Sequence, residues 1–206
     1  MRQVLPKNLP LTLSALAILL LLCLFFALTE AGAGWSEREK TIIKGEGVMR
    51  VLTIDVPEDS VFLRTPSKDL TEKQIRSKEY ATLAERMLAT VTSPEQDGVG
   101  IAGPQVGIGR RIVAVQRFDK PGEPFEVYPN IRVTEKRGEP EPGPEGCLSV
   151  PGRRGEVLRW QDIDIAYASP VTGRDTSETV KGFTAVIFQH ETDHLDGVLY
   201  IDKLMP

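Results

Sequence analysis

The sequence predicts an α+β fold in which short β-strands surround one helix near the C-terminus. Short runs of apolar and β-branched residues, separated by glycine- and proline-rich segments, indicate strands over 111–118, 125–133 and 157–168. Apolar residues at three- and four-residue intervals indicate helices over Leu70–Val91 and Phe183–His194. Because strands and helices do not alternate regularly along the chain, the pattern does not fit a parallel βαβ array.

The boundaries of the first helix are marked by local signals. Thr71 and Gln74 have the spacing of a capping box at its start, and Ser93-Pro94 ends it. The remaining segments are interpreted as loop followed by strand over 45–54, a glycine-rich segment over 98–109, and a loop over 138–146, which is dense in proline, glycine and glutamate.

Composition excludes several classes of protein. Hydrophobic residues at 41% and charged residues at 26% are typical of a folded globular chain and not of a disordered one. The formal net charge of -4 argues against a protein that coats nucleic acid, because phosphate binding needs a clustered positive surface. Two cysteines cannot build a disulfide scaffold.

The N-terminal segment differs from the rest of the chain. Leu9–Leu28 is almost wholly apolar and uncharged, and as a helix it would span about 30 Å, the thickness of a bilayer core. Arg2 and Lys7 precede it, which predicts that the rest of the chain lies across a membrane. Residues 1–33 are therefore expected to be a membrane anchor or a signal peptide, with 31–33 as an A-x-A-like cleavage site. Residues 34–50 are interpreted as a linker and 51–206 as the main domain.

The two histidines of the chain, His190 and His194, are four residues apart on the predicted C-terminal helix. Residues at this spacing lie on one helix face, so both rings can bind one metal ion. Glu191 lies beside them, where it can take a proton from a water that the metal activates. The segment is thus an H-E-x-x-H metal motif.

A hydrolytic metal site usually has a third protein ligand and one open position. Cys147, in the segment Glu145-Gly146-Cys147-Leu148-Ser149, is the only cysteine after the N-terminal apolar run, and a thiolate suits a borderline divalent metal. Two other roles are open at this point: a nucleophile paired with histidine, or an inert buried thiol. The ligand role is favoured because a Cys–His pair explains neither the second histidine nor Glu191.

The segment Gly98–Gln105 resembles a dinucleotide-binding loop only superficially. Pro104 disrupts the helix that should follow such a loop to hold a pyrophosphate. Glycine lets a backbone approach a ligand closely, and Gln105 supplies an amide donor that could polarise a carbonyl.

Taken together, these three segments resemble the motifs of the peptide deformylase family, G-x-G-x-A-A-x-Q, E-G-C-L-S and Q-H-E-x-D-H, in the same order. The resemblance covers roughly Val51–Pro206. It implies antiparallel β-sheets packed around a central C-terminal helix that carries the H-E-x-D-H motif. It also implies a metal-dependent hydrolase that removes the formyl group from N-formyl-methionine at the start of newly made polypeptides.

The resemblance implies a role for each matching residue. The metal ligands are Cys147, His190 and His194, and the acid/base is Glu191. The oxyanion donors are the Gln105 side chain and the Leu148 backbone N–H. The expected substrate-binding residues are Val99, Gly100, Phe183, Val186 and Ile187, with Arg154 as a candidate for contact with the peptide.

The family typically uses Fe²⁺, and Zn²⁺, Ni²⁺ or Co²⁺ can occupy such a site. The expected partners are N-formyl-methionyl peptides and nascent chains at the ribosome, and the membrane if the N-terminal segment is retained. The sequence departs from the family in three ways. Gly103 replaces the second alanine of the first motif, which is expected to remove one methyl group beside the site. Pro206 follows soon after the last motif without the C-terminal helix of many members, and the apolar N-terminal segment is not expected of a cytosolic enzyme.

Two alternatives belong to other functional classes. One is an exported amidase or metallopeptidase on a deformylase scaffold. The other is a non-catalytic, membrane-attached protein that binds a metal or a peptide. Glu191 argues against the second alternative, because a binding protein needs no proton shuttle at that position.

Overall fold

The structure is a computed structural model, and it describes residues 34–206. Apart from two residues, this range forms one unit, Ser36–Pro206. The segment interpreted as a signal peptide or anchor, residues 1–33, lies outside the described residues. Within residues 34–206, no helix is both long and apolar enough to cross a membrane.

The described unit contains five α-helices and eight β-strands. In chain order these are α1 Glu37–Lys44, α2 Pro57–Leu63, α3 Glu72–Ile75, α4 Lys78–Val91, β1 Gly100–Ala102, β2 Ile112–Gln116, β3 Phe125–Pro129, β4 Arg132–Arg137, β5 Glu141–Cys147, β6 Val150–Arg159, β7 Asp162–Ala168, β8 Asp175–Lys181 and α5 Phe183–Leu195. Two short 3₁₀ helices, Gly103–Val106 and Tyr200–Asp202, complete the list.

All strand pairs are antiparallel, in three sheets of order β1-β2-β3, β4-β7-β8 and β5-β6. Helix α5 packs against strands of the first two sheets, and its Ala185, Ile187 and Phe188 join their buried side chains in one core. The prediction of an α+β fold with antiparallel sheets around a C-terminal helix is confirmed.

Helix α5 ends at a Schellman motif. Gly197 has φ +75°, its N–H donates to His194 O at 3.1 Å, and the Val198 N–H donates to Asp193 O at 2.9 Å. A Cβ at position 197 would lie 2.5 Å from the Arg64 carbonyl oxygen. Glycine is therefore required here both for the left-handed backbone and for the close approach of another chain segment.

The predicted helix over Leu70–Val91 is two helices. The capping box of Thr71 and Gln74 is confirmed at the start of α3. Helix α4 begins anew after Ser77, whose side chain accepts a hydrogen bond from the Tyr80 N–H. The apolar periodicity continues across the break because both helices pack on the same core, so periodicity alone could not reveal it.

The strand predicted within 45–54 is wrong. Leu52 N–H donates to Gln105 O and Ile54 N–H donates to Ser149 O, so the backbone bonds reach two different segments and form no ladder.

The strand predicted over 125–133 is divided into β3 and β4. Asn130, at φ +57°, breaks it, and its side chain bonds both the N–H and the carbonyl of Leu70.

The loop predicted over 138–146 is also wrong, because most of it forms β5. Proline cannot donate to a sheet ladder. Pro142 and Pro144 are two residues apart and so face the same way. Among residues 34–206, β5 pairs only with β6, so its other edge has no strand partner in this range. The strand predicted over 157–168 is divided at Trp160 and Gln161 into β6 and β7. Strand β8 was missed because its sequence is polar except at Val180.

The segment interpreted as a linker, residues 34–50, contains helix α1. Ser36 and Glu39 form a capping box at its start. Ile43 is buried, and α1 packs against α4. The domain boundary at residue 51 stays a prediction, but the residues before it are part of the folded unit.

Arg117 links the first two sheets. It follows β2, and its guanidinium donates to Asp119 at 2.7 and 2.8 Å and to Glu178 of β8 at 2.9 and 3.1 Å. It also donates to the hydroxyl of Tyr128 on β3. The side chain is only 2% exposed, so this charge depends on these partners and not on water.

Replacement of Arg117 by methionine should lower the free energy of unfolding by about 3 kcal/mol or more, because it leaves carboxylates without their buried partner. Urea unfolding of the metal-loaded protein measures the change. Arg132→Met is the matched control, since its pair with Asp69 is exposed and should contribute no more than about 1 kcal/mol. Equal effects of the two substitutions would contradict the role given to Arg117.

Candidate metal centre

The three sequence motifs meet at one place. Helix α5 supplies His190 and His194, and Cys147 lies at the end of β5. One ligand atom from each of the three residues lies within 4.8 Å of the others, and Cys147 Sγ is 3.1 Å from His194 Nε2. These three residues are the metal-ligand cluster that the structure describes.

The hairpin between β5 and β6 places the cysteine. Leu148 and Ser149 form the two-residue connection, and the strand register shifts between Gly146 and Cys147. Such irregularities redirect a side chain at the end of a strand pair. The Ser149 N–H lies 3.4 Å from Cys147 Sγ, so the backbone offers a hydrogen bond to the sulfur.

His190 is oriented by Glu145. Its Nδ1 is 2.8 Å from Glu145 Oε2, which leaves Nε2 available to a metal. Burial alone would raise the pKa of Glu145, but hydrogen bonds from His190 and Arg159 outweigh burial and lower it to about 2. The carboxylate therefore stays charged and accepts both hydrogen bonds at any pH near neutrality.

Arg159 completes this buried network. Its Nε and Nη2 donate to Glu145 at 2.6 and 3.0 Å, and its Nη1 donates to Asp193 at 2.6 Å. The Arg159 residue is 3% exposed. A buried carboxylate of this kind is stable only because it is paired and hydrogen-bonded.

The cluster fits a divalent metal. A thiolate and two imidazoles are ligands that Fe²⁺, Zn²⁺, Ni²⁺ and Co²⁺ accept, and three protein ligands leave a position open for water or substrate. Burial and the nearby His190 lower the pKa of His194, which favours the neutral ring that a metal requires. Glu191 Oε2 is buried and has no hydrogen-bond partner within the described residues, as expected of a group facing a ligand position.

Glu191 lies against the glycine-rich segment. It is 3% exposed, and burial raises its pKa to about 7. A Cβ at Gly100 would lie 2.5 Å from Glu191 Oε1 and 2.9 Å from Ile187 Cγ2. Glycine at position 100 therefore leaves the space that the carboxylate occupies.

Gln105 is fixed by hydrogen bonds at both ends of its amide. Its Oε1 accepts from the Ala102 N–H at 2.8 Å, and its Nε2 lies 3.2 Å from Ser149 Oγ and 3.6 Å from Cys147 Sγ. The amide N–H₂ group is thus directed toward the cluster. This orientation suits a donor to an oxygen that gains negative charge there.

A cleft of about 760 Å³ lies over the cluster. Its lining includes Cys147, His190 and Glu191, and it also includes every other residue that the sequence assigned to catalysis or substrate binding. Those residues are Gln105, Leu148, Val99, Gly100, Phe183, Val186, Ile187 and Arg154. His194 is buried below the cleft, with 1% exposure.

Sequence reasoning missed the residues that support the ligands. Glu145 stands two residues before Cys147 in a segment that was singled out, so its type and spacing offered a signal. Ser149 stands two residues after Cys147 in the same segment, but its type did not mark it as a partner of Gln105. Arg159 offered no signal, because its role depends on the β5–β6 hairpin and its contact with α5.

Gly103 does not remove a methyl group beside the site, as the sequence analysis expected. A Cβ there would lie 2.6 Å from Arg110 O and 2.8 Å from Ile108 O, on the side of the following turn. The departure from the family motif thus accommodates the close turn at 108–110.

The comparisons with known proteins agree with the geometry. Residues 48–206 match the family model described as polypeptide deformylase. The chain belongs to the polypeptide deformylase family. A peptide deformylase of Halothermothrix orenii is 38% identical over 157 residues, covering 76% of this chain and 96% of that protein.

Solved structures of deformylases show the same fold. The crystal structure of the Thermotoga maritima peptide deformylase has a TM-score of 0.68 and 33% identity, covering 78% of this chain and all of that one. A class I type b peptide deformylase of Acinetobacter baumannii, with Met-Ala-Ser bound, has a TM-score of 0.67 and 32% identity, covering 76% and 98% of the two chains. The resemblance stated from the motifs is confirmed.

Replacement of Glu145 by glutamine should lower metal affinity by about 10- to 100-fold, because the amide is a weaker acceptor for the His190 N–H. Competition with a chelator measures the affinity. Glu156→Gln removes an exposed carboxylate from the same hairpin and should leave metal affinity unchanged. A Glu145→Gln protein that holds metal as tightly as its parent would show that this hydrogen bond does not orient the ligand.

Replacement of Gly100 by alanine should lower kcat by about 100-fold while metal content is retained, because the added methyl group displaces Glu191. Steady-state kinetics with metal analysis tests this. Gly143→Ala is the control, since a Cβ there has no heavy atom within 4 Å. Full activity of the Gly100→Ala protein would contradict the steric argument.

Proposed function

We propose that Glu191, Gln105 and Leu148 carry out the deformylase reaction of this chain, the removal of the formyl group from N-formyl-methionine at the start of newly made polypeptides. The observation that supports the proposal is the position of Glu191. Its buried carboxylate, with Oε2 unpartnered, lines the same cleft as the Cys147 and His190 ligands.

Cys147, His190 and His194 would hold a divalent metal, which would supply the Lewis acidity that lowers the pKa of water into the neutral range. We propose Fe²⁺ as the resident metal, on the resemblance to the family. The donor set also accepts Zn²⁺, Ni²⁺ and Co²⁺. Glu145 and Arg159 keep the metal ligands oriented whichever of these metals is bound.

Glu191 is the proton carrier of the proposed mechanism. Its Oε2 accepts a proton from the attacking water and returns it to the amine that leaves. A pKa near 7 suits both steps, because the group can be found in either protonation state near neutral pH. Glu191 is only 3% exposed, so the proton passes between its carboxylate and the reacting groups and not to bulk water.

Gln105 and Leu148 stabilise the negative charge that develops on the formyl oxygen. The Gln105 amide is already fixed, so its Nε2 donor needs no rearrangement during the reaction. The backbone N–H of Leu148 lies next to Cys147 at the hairpin end and provides the second donor. A formyl carbon carries only hydrogen, so a narrow site between these donors and Glu191 can exclude acetyl groups by size.

The proposed methionine pocket is the apolar part of the cleft, formed by Val99, Phe183, Val186 and Ile187. Phe183 is 54% exposed, which is unusual for phenylalanine and is explained if a substrate side chain covers it. Arg154 lies at the exposed wall, where we propose that it contacts the peptide. The Met-Ala-Ser peptide bound by the Acinetobacter baumannii relative supports a peptide of this kind as occupant.

We further propose that the protein meets nascent chains, and that residues 1–33 direct it to a membrane, either as a retained anchor or as a signal peptide. The support is the apolar sequence of this segment. Cell fractionation with N-terminal sequencing of the mature protein tests the location and shows whether the segment is cleaved.

Substitution of Glu191 by glutamine should lower kcat by about 100- to 10,000-fold and leave metal binding intact, because the amide cannot carry the proton. Activity on formyl-Met peptides, with metal analysis of anaerobically purified protein, measures both. Glu85→Gln, at an exposed position on α4, is the control. Persistent turnover in the Glu191→Gln protein would overturn the proposed mechanism.

A comparison of substrates separates the deformylase from the alternative amidase or peptidase. Formyl-Met peptides should be hydrolysed far faster than acetyl-Met or unblocked peptides of the same sequence. Equal or faster cleavage of unblocked peptides would favour a metallopeptidase, and the absence of any hydrolysis by the iron-loaded protein would favour the non-catalytic binder.

A further inference from the structure

A second cavity of about 310 Å³ lies on a different face of α5 from the metal centre. Four cationic side chains line it, from the start of β2, from β4 and from the end of β6: Arg111, Arg132, Lys136 and Arg159. Two carboxylates of the α5 end, Asp193 and Asp196, also line it. It shares no lining residue with the substrate cleft.

The arginines of this cavity already have carboxylate partners. Arg111 Nη1 is 2.6 Å from Asp196, and Arg132 Nη2 is 2.8 Å from Asp69. Arg159 is paired with Asp193, as described above. These ion pairs fix the guanidinium groups at the cavity wall. The side chains therefore lose less conformational entropy when a ligand binds.

Lys136 is the exception among these cations. Its Nζ lies over the ring of Trp160, 4.5 Å from the centroid, and no carboxylate of the described residues forms an ion pair with it. Burial lowers the pKa of Lys136, and repulsion from Lys203 and Arg159 lowers it further, while Asp193 opposes the change. Of the three charged groups that act on this ammonium group, Lys203 and Arg159 are cations and Asp193 is an anion.

The cations of this cavity differ in burial. Arg111 and Arg159 are buried, at 8% and 3% exposure, whereas Arg132 and Lys136 are exposed. An anion that enters thus meets the two exposed cations first, while the two buried arginines stay paired with Asp193 and Asp196. Donors that converge from several elements match a tetrahedral anion with several acceptor oxygens better than a planar carboxylate.

We propose that this cavity binds a phosphate group, either as free inorganic phosphate or as the monoester of a small alcohol, with Lys136 and Arg132 as its principal contacts. Lys136 gains the anionic partner that it lacks in the structure. Its ammonium group moves from the Trp160 ring toward the phosphate oxygens.

The fluorescence of Trp160 tests the proposal directly, because the cation over its ring changes position. The experiment uses the full, metal-loaded chain with Trp35→Phe, which leaves Trp160 as the only tryptophan of the sequence. Inorganic phosphate and glycerol 3-phosphate are titrated separately against potassium chloride of equal ionic strength. A saturable change in Trp160 fluorescence at low millimolar concentration is expected. If only one of the two compounds causes it, the site is specific for free phosphate or for a phosphate monoester.

Variants distinguish this cavity from other anion sites, including the metal. Arg132→Gln keeps the Lys136–Trp160 pair as reporter and should raise the half-saturating concentration by at least about fivefold. Lys136→Gln should abolish the heat of phosphate binding attributable to this site in calorimetry. Lys181→Gln, which removes an exposed cation paired with Asp162, should change neither measurement.

Three results would overturn the proposal: no saturable response beyond that of chloride, an unchanged half-saturating concentration in Arg132→Gln, or equal weakening in Lys181→Gln. The first shows that the cavity holds no phosphate, the second that phosphate binds elsewhere, and the third that only net charge matters.

Discussion

The carboxylate of Glu145 is the interaction on which the metal centre depends. It accepts a hydrogen bond from His190 on α5 and two from Arg159 at the end of β6, while Glu145 itself belongs to β5. One buried anion thus ties the two-stranded hairpin to the central helix. Since Cys147 lies on that hairpin and the histidines on that helix, the ligand set has its geometry only when this anion is satisfied.

In this site, polar groups that are hydrogen-bonded within the protein lie close to one that is not. Glu145 accepts hydrogen bonds from His190 and Arg159, and the amide oxygen of Gln105 accepts one from Ala102, which fixes the parts that must not move. Glu191 Oε2, in contrast, is buried and has no hydrogen-bond partner in the part of the chain that the structure describes. A buried unpartnered carboxylate lowers stability, and burial raises its pKa to about 7 for the same reason. The property that suits Glu191 to its proposed role as proton carrier therefore also lowers the stability of the fold.

Sequence reasoning reached the features that depend on local spacing. His190, Glu191 and His194 share a helix face because of their separation, and Thr71 and Gln74 cap a helix because they are three residues apart. It failed where distant residues decide the backbone. Asn130 ends β3 by binding Leu70, and β5 exists because β6 lies beside it despite Pro142 and Pro144.

The same distinction holds for the site. The motif residues were found because their chemical types are few in this chain, with two histidines and a single cysteine after the apolar segment. Arg159 was not found, because one arginine among many has no mark in the sequence until the fold brings it to Glu145. Gly103 shows a further limit of sequence reasoning. The family resemblance identified it as a replacement of alanine, but only the structure shows in which direction an alanine methyl group would point.

Helix α1 places the start of the folded unit before the region of family similarity. Arg86 of α4 donates to the carbonyls of Ile42 and Ile43 at the end of α1, and also to those of Glu46 and Gly47. The family match starts only after these contacts, at residue 48. Helix α1 is therefore joined to α4 by hydrogen bonds within the compact unit Ser36–Pro206. A chain trimmed to the region of family similarity would lose a part of its folded structure and not a dispensable appendage.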